Sequence, residues 1–180
     1  MWGQWWRFLT AGFLHGNLIH IALNSLGLFQ LGNEVEEFYG THRFFAIYLF
    51  STMTGFFTSF FMGNRLSVGA SAGVFGLLGA LIAYGVIART HLGMALKDYY
   101  TRVAIESFVM GLFMTMSGTM PIDNSAHFGG LAGGFVMGWL VGTPYLVENW
   151  KEKLAHAAGW LMIGVAALAY LSWAGWFFRF

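Results

Sequence analysis

The sequence predicts an all-helical, polytopic membrane protein with six transmembrane spans. Hydrophobic residues make up 57% of the 180 residues and charged residues only 9%, far below the roughly 25% charge of an ordinary soluble domain. The apolar residues fall into six stretches, each close to the ~20 residues that a helix needs to cross a hydrocarbon core. None of them alternates apolar and polar residues as the strands of a membrane barrel do. A bundle of helices within the bilayer follows.

The six spans are assigned in chain order from their own apolar stretches. Their predicted bounds are about 16–33, 43–63, 69–89, 103–120, 125–143 and 157–178. The connections between them are short and carry nearly all of the charge. We therefore expect one compact unit rather than a string of domains.

Charged residues and tryptophans predict how the spans are oriented. Six of the nine Lys and Arg residues lie after the first, third and fifth spans: Arg43, Arg89, Lys97, Arg102, Lys151 and Lys153. The opposite side holds Arg7, Arg65 and Arg179. Because cytoplasmic loops carry the excess of positive charge, the first group is expected in the cytoplasm. The tryptophans form two belts, with Trp2, Trp5, Trp6, Trp173 and Trp176 outside and Trp150 and Trp160 inside.

Polar side chains gather at one predicted depth of the membrane. The first, third and fifth spans run in the same direction, so their opening residues lie at the same outer level. These openings contain His20 and Asn24, Ser71, and His127. Polar groups within a span are costly, and they mark a functional site facing the bundle interior or a water-filled cavity.

Small residues predict which spans are neighbours. One stripe runs along the fifth span at every fourth position: Ala126, Gly130, Gly134, Gly138 and Gly142. The third span has its own stripe of Ala72, Gly76 and Ala80. Small residues at this spacing let helix backbones approach closely in lipid. The two spans should therefore touch, with the Ser71 hydroxyl within hydrogen-bond reach of the His127 imidazole, a geometry that activates a serine nucleophile.

Other interpretations were weighed for the same residues. Ser71 alone is more often a helix cap, and His127 alone a hydrogen-bonded core histidine, but their joint occurrence at one level favours a catalytic pair. A metal site of His15, His20 and His127 is disfavoured because the first two are five residues apart and no carboxylate joins them, so neither a metal nor a cofactor is expected. The absence of cysteine excludes thiolate chemistry, and the net charge of +1 disfavours a nucleic-acid partner. A transporter is disfavoured because no inverted repeat is visible.

The motifs resemble those of a known family, the rhomboid intramembrane serine proteases. They are Trp6-Arg7 leading into His15, His20 and Asn24, then Gly69-Ala70-Ser71, then Ala126-His127-Phe128-Gly129-Gly130 with Gly134. The resemblance implies a dyad of Ser71 as nucleophile and His127 as base. It also implies an oxyanion hole formed by His20, Asn24 and the Ser71 amide. Substrates would be membrane-spanning proteins cut near the outer surface.

Elementary chemistry is consistent with these roles. A neutral imidazole with a pKa near 6.5 can accept a proton at about pH 7, and His20 and Asn24 lie one helical turn apart, so both can face one oxygen. Asp123 could reach His127 from one turn earlier, but we expect it to be a solvated loop carboxylate. Glu106 is expected at the inner end of the fourth span, far from the site.

The chain departs from the family pattern in three places. Ala72 follows the nucleophile where glycine is common, and Phe75 replaces a frequent tyrosine but can still stack on His127. We also expect the family's first helix, which precedes the Trp-Arg loop, to be absent from this chain, and the sixth span to be an additional C-terminal helix. We therefore expect a rhomboid-like protease core at 1–143, followed at 144–180 by a cytoplasmic linker and that additional helix.

The expected function is an intramembrane serine endopeptidase that cleaves transmembrane substrates with a Ser-His dyad. Its partners are transmembrane proteins and the lipid bilayer, and its expected location is the bacterial inner (plasma) membrane as a multi-pass protein. The alternative is a non-proteolytic rhomboid-like protein that binds membrane helices. Such a protein should lack Ser71 or His127, and this sequence has both.

Overall fold

The computed structural model describes residues 3–64, 66–143 and 150–178, and over these ranges the regular structure is entirely helical. Six helices of at least 18 residues follow a short entry segment. The elements are α1 (Arg7–Thr10), a 3₁₀ turn (Ala11–Phe13), α2 (Leu18–Tyr39), α3 (Thr41–Phe61), α4 (Ser71–Ala88), α5 (His91–Met116), α6 (Asn124–Val141) and α7 (Trp150–Phe177). The predicted all-helical class is confirmed.

Three of the helices are long and apolar enough to cross a membrane, judged by length and composition: α3, α4 and the part of α7 from Glu152 to Phe177. Polar or small residues lower the mean hydropathy of the other helices. Helix α2 ends in a glutamate-rich turn, the first half of α5 contains several charged residues, and α6 is rich in glycine. The count of six spans remains a prediction.

Two helices begin earlier than the apolar stretches that predicted them. α5 starts at His91 rather than near residue 103, and α7 starts at Trp150 rather than at 157. Charged residues end a hydrophobic stretch but not a helix, since Lys, Arg and Glu are good helix formers. The predicted connection 144–156 is therefore partly wrong, and its residues 144–149 lie outside the described ranges, as do Trp2, Arg65, Arg179 and the side chain of Lys151.

Side chains and glycines define the helix ends. The Asn17 side chain accepts the His20 amide at 2.8 Å and begins α2, and Thr90 accepts the Gly93 amide at 3.0 Å and begins α5. Such caps satisfy amides that have no partner within the helix. Gly40, with φ of +81°, separates α2 from α3, a backbone conformation that glycine adopts without strain.

Helix α6 packs most extensively against α4 and then against α3. A Cβ atom at Gly134 would overlap the backbone of Gly76, and one at Gly138 would lie 3.1 Å from the Ala80 Cα. The predicted contact between these two spans is thus confirmed. Helix α6 also has a second glycine face that the sequence analysis missed, because Gly129 and Gly133 sit against threonines of α3.

The end of the bundle remote from Ser71 is held by buried polar contacts. The Arg43 guanidinium at the start of α3 donates to Glu152 of α7 at 2.8 Å and to the Val141 carbonyl at 3.2 Å. The Tyr39 hydroxyl donates to the Ala80 carbonyl at 2.8 Å. These contacts join α2 to α4, and α3 to both α6 and α7.

A methyl group at the α4–α6 contact tests whether close backbone approach holds this core. Gly134→Ala should lower the free energy of unfolding by about 1–3 kcal/mol, because the added Cβ forces the two helices apart. The matched control is Gly164→Ala in α7, where a Cβ meets no atom within 4 Å, so that only the better helix propensity of alanine remains. Thermal unfolding in detergent measures both, and equal stability of the two variants would contradict the packing argument.

Candidate active site

Ser71 is the first residue of α4, and its hydroxyl faces another helix. The N-cap of α4 is Ala70, which has no capping side chain. The Ser71 Oγ lies 2.9 Å from the His127 Nε2. The Ser71 hydroxyl therefore contacts a different helix instead of capping its own. The two residues in this contact are 56 positions apart in sequence.

His127 lies in the first turn of α6 and is only 8% exposed. Its ring stacks on Phe75 of α4, with centroids 4.1 Å apart and planes 13° from parallel, and Phe108 of α5 approaches edge-on at 6.4 Å. The Nδ1 atom is buried and finds no hydrogen-bond partner within the described part of the chain. Aromatic packing rather than a carboxylate thus orients this imidazole.

His20 and Asn24 come together on one face of α2, against the backbone that leads to Ser71. Gly69 has φ of +122°, and a Cβ there would lie 2.5 Å from the His20 Nε2 and 3.2 Å from the Asn24 Nδ2. Asn24 is 8% exposed, and its Nδ2 is buried with no hydrogen-bond partner in the described ranges. A buried donor left unpaired costs free energy, so it marks a place where an acceptor can be bound.

The four predicted site residues therefore form two groups, joined through the Gly69–Ser71 segment. Ser71 and His127 are in direct contact, while His20 and Asn24 lie beside Gly69 without a hydrogen bond to either within the described residues. A serine hydroxyl within hydrogen-bond distance of a histidine nitrogen is suited to nucleophilic attack. Unpaired hydrogen-bond donors nearby are suited to stabilising an oxyanion.

The surroundings of Asp123 differ from those predicted from the sequence. It is the N-cap of α6, where its Oδ1 accepts the Ala126 amide at 3.0 Å and the Asn64 side chain at 2.9 Å. Its Oδ2 accepts a hydrogen bond from Ser59 of α3. Burial by itself raises the pKa of the carboxyl, but the hydrogen bonds from the surrounding hydroxyls and from the Ala126 amide outweigh it and hold the pKa below its usual range. The expectation of a solvated loop carboxylate was wrong, because the half-buried side chain is also bound by Ser59 and Asn64, which lie 64 and 59 residues away in sequence.

Two other expectations concern more distant side chains. The rings of His15 and His20 lie 5.1 Å apart, edge to face, and no group of three or more His, Cys, Asp or Glu side chains suited to a metal occurs in the described part of the chain. Glu106 is exposed on α5.

Comparisons with known proteins point in one direction. A family model for the Rhomboid domain matches residues 2–144. The rhomboid protease GluP of Bacillus subtilis is 39% identical over 170 residues, which cover 91% of this chain and 32% of that protein. RHOMBOID-like protein 4 of Arabidopsis thaliana is 36% identical over 138 residues, covering 76% of this chain and 34% of that protein. Rhomboid-like protease 3 of Toxoplasma gondii is 32% identical over 135 residues, covering 74% and 51% respectively. The chain thus spans about a third to a half of the length of these relatives.

The contact between Gly69 and the two α2 side chains can be tested by adding a methyl group. On the expectation that His20 is an oxyanion donor, Gly69→Ala should slow the reaction of Ser71 with a fluorophosphonate by about a hundredfold, because the Cβ displaces His20 and one donor is lost. Gly63→Ala is the matched control, since Gly63 also has a positive φ, of +86°, but a Cβ there meets nothing within 4 Å. If both variants react equally slowly, backbone strain rather than displacement of His20 is the cause.

Proposed function

This chain belongs to the rhomboid family, and on that premise we propose that it is an intramembrane serine endopeptidase with Ser71 as nucleophile and His127 as general base. The observation that carries the proposal is the 2.9 Å contact between the Ser71 Oγ and the His127 Nε2. A hydroxyl is a weak nucleophile until an adjacent base removes its proton. A buried imidazole at hydrogen-bond distance is such a base.

In the proposed reaction, the Ser71 Oγ attacks the carbonyl carbon of a peptide bond while its proton passes to the His127 Nε2. The carbonyl electrons move onto oxygen and create an oxyanion. Collapse of this intermediate breaks the C–N bond, and the leaving amine takes the proton from Nε2. A water molecule then hydrolyses the Ser71 ester by the same route, with His127 again acting as base and then as acid.

The donors for the oxyanion are assigned to Asn24, His20 and the Ser71 amide. Support comes from the unpaired Asn24 Nδ2 and from the position of both side chains beside Gly69. Donors that are already fixed where charge develops need no reorganisation during the reaction, which is why they accelerate it.

His127 has to act without a carboxylate partner. For Nε2 to accept the Ser71 proton, the neutral ring must carry its own proton on Nδ1. The stack on Phe75 fixes the ring plane, and so replaces part of the orienting role that an acid has in three-residue sites. The proposed machinery is thus a dyad.

The proposed substrates are transmembrane proteins, cut near the outer face of the membrane. We place the chain in the bacterial inner membrane as a multi-pass protein with six spans. In this proposal the protease core is 1–143, and 144–180 supply the linker and the additional helix. The apolar helices α3, α4 and α7 support an integral membrane location.

A fluorophosphonate probe tests the dyad directly in the purified, detergent-solubilised protein. Labelling should occur in the parent protein and disappear in Ser71→Ala, and it should fall by at least about a thousandfold in His127→Ala, as it does for the histidine of Ser-His-Asp triads. Ser117→Ala and His91→Ala are matched controls, because both residues are exposed, His91 at the start of α5 and Ser117 directly after its end, and they should label normally. A folded parent protein that is not labelled would favour the alternative, a rhomboid-like protein that binds membrane helices without cutting them.

Removal of an oxyanion donor should leave the dyad in place but slow the chemistry. Asn24→Ala should reduce kcat for a transmembrane substrate by about 10²–10³-fold with little change in KM, since the lost hydrogen bond forms only in the transition state. Cleavage assays in proteoliposomes measure both constants. An unchanged kcat would remove Asn24 from the proposed oxyanion hole.

A further inference from the structure

The carboxylate of Asp123 connects three segments of the chain near the active site. Its Oδ2 accepts from Ser59 in the last turn of α3. Its Oδ1 accepts from Asn64, in the connection between α3 and α4, and from Ser125 and the Ala126 amide at the start of α6. Asn64 also donates to the Ser125 Oγ at 2.8 Å.

These contacts exceed what a helix cap requires. A capping carboxylate needs one oxygen, which here accepts the Ala126 amide. The second oxygen is used on another helix, by Ser59, which is only 1% exposed. The carboxylate therefore fixes the first turn of α6 against the end of α3.

Both members of the dyad lie close to this cluster along the chain. The His127 amide donates to the Asp123 carbonyl at 3.2 Å, so the histidine belongs to the turn that Asp123 begins. Asn64 and Ser67 precede Ser71 in the connection to α4, and Ser67 is among the groups that lower the pKa of the Asp123 carboxyl. A shift of Asp123 would move His127 and loosen the segment that ends at Ser71.

Other contacts besides this cluster hold α6 against α3. Helix α6 already packs against α3 through Gly129 and Gly133, whose absent Cβ atoms would meet Thr58 and Thr54. The first turn of α6 also packs against α3, since a Cβ at Gly55 would lie 2.7 Å from the Ala126 carbonyl oxygen. These contacts set how close the helices lie, but they join small groups, whereas the Asp123 cluster adds directional hydrogen bonds at the start of α6. That turn carries an imidazole whose Nδ1 has no partner of its own in the described ranges.

Reacting groups must be placed closely, because a misplacement of about 1 Å can slow a reaction about a hundredfold. We propose that Asp123 is a positioning residue of the active site, which ties the start of α6 to the end of α3 through Ser59 and thereby sets the His127 ring against the Ser71 hydroxyl. The inference rests on the proposed function. It assigns Asp123 no contact with substrate.

The test compares variants of the full chain in detergent, by thermal unfolding, by the rate of fluorophosphonate reaction with Ser71, and by kcat and KM for a transmembrane substrate. Asp123→Ala removes both arms of the cluster. Ser59→Ala removes only the arm to α3 and leaves the cap of α6. Asp123→Asn keeps the size of the side chain and an oxygen acceptor for the Ala126 amide.

Matched controls separate positioning from loss of structure. Ser51→Ala removes another buried serine of α3, whose hydroxyl donates, among the described residues, to the Ile47 carbonyl of its own helix. Asp98→Ala removes an exposed carboxylate that pairs with Lys97. Neither change touches the cluster.

We expect Asp123→Ala and Ser59→Ala to reduce the fluorophosphonate rate and kcat by about 10–100-fold with KM within twofold, at a temperature where both remain folded. Asp123→Asn should recover most of the rate, and both controls should stay within twofold of the parent. A merely structural role would lower the unfolding temperature without this split between kcat and KM.

If Ser59→Ala is folded and keeps the parental fluorophosphonate rate and kcat, the positioning role of Asp123 is overturned, whether or not Asp123→Ala folds. That result would leave the proposed function intact as long as labelling of the parent depends on Ser71 and His127. A parent that is not labelled at all would overturn the proposed function, and the positioning role with it.

Discussion

The structure depends on two helix backbones that lie almost in contact. Along α4 and α6, Gly76 faces Gly134 and Ala72 faces Gly130, at positions where a Cβ on α6 would overlap the backbone of α4. In lipid there is no hydrophobic effect to drive helices together, so close packing of this kind has to supply the association. The same approach brings the first residue of α4 to the first turn of α6, and it is why a hydroxyl as short as that of Ser71 reaches the His127 Nε2 at 2.9 Å.

The features that could be predicted from the sequence are those marked by a repeating pattern of residues. Small residues at every fourth position of the fifth apolar stretch mark one helix face, and from that face the contact with α4 and the meeting of Ser71 and His127 follow. The second face of α6, formed by Gly129 and Gly133, was missed although these glycines and their partners Thr54 and Thr58 are each four residues apart, because the longer stripe through Gly130 dominates the pattern. The helix starts at His91 and Trp150 were missed because hydropathy reports where a chain is apolar and not where it is helical.

The finer parts of the site arise from contacts that no local pattern encodes. His20 and Asn24 lie where a Cβ of residue 69 would be, at a position whose φ of +122° also favours glycine. An irregular connection has no period from which such a contact or its dihedrals can be derived. The surroundings of Asp123 come from residues 59 and 64, far away in sequence. Sequence reasoning could place Asp123 one turn before His127, but it could not supply the hydroxyls that bind it. Helix faces are therefore predictable here, whereas the orientation of individual polar groups needs the tertiary structure.

The ion pair at the opposite end of the bundle joins the region that the family model matches to the helix that follows it. The family model matches residues 2–144, yet Arg43, which lies inside that range and is 3% exposed, is paired with Glu152, which lies beyond it. A buried guanidinium without its carboxylate is destabilising by about 3–5 kcal/mol, so the first turn of α3 depends on α7. Helix α3 in turn carries Ser59 and packs against α6. Helix α7, although it follows the matched region, thus stabilises a helix on which the position of His127 depends.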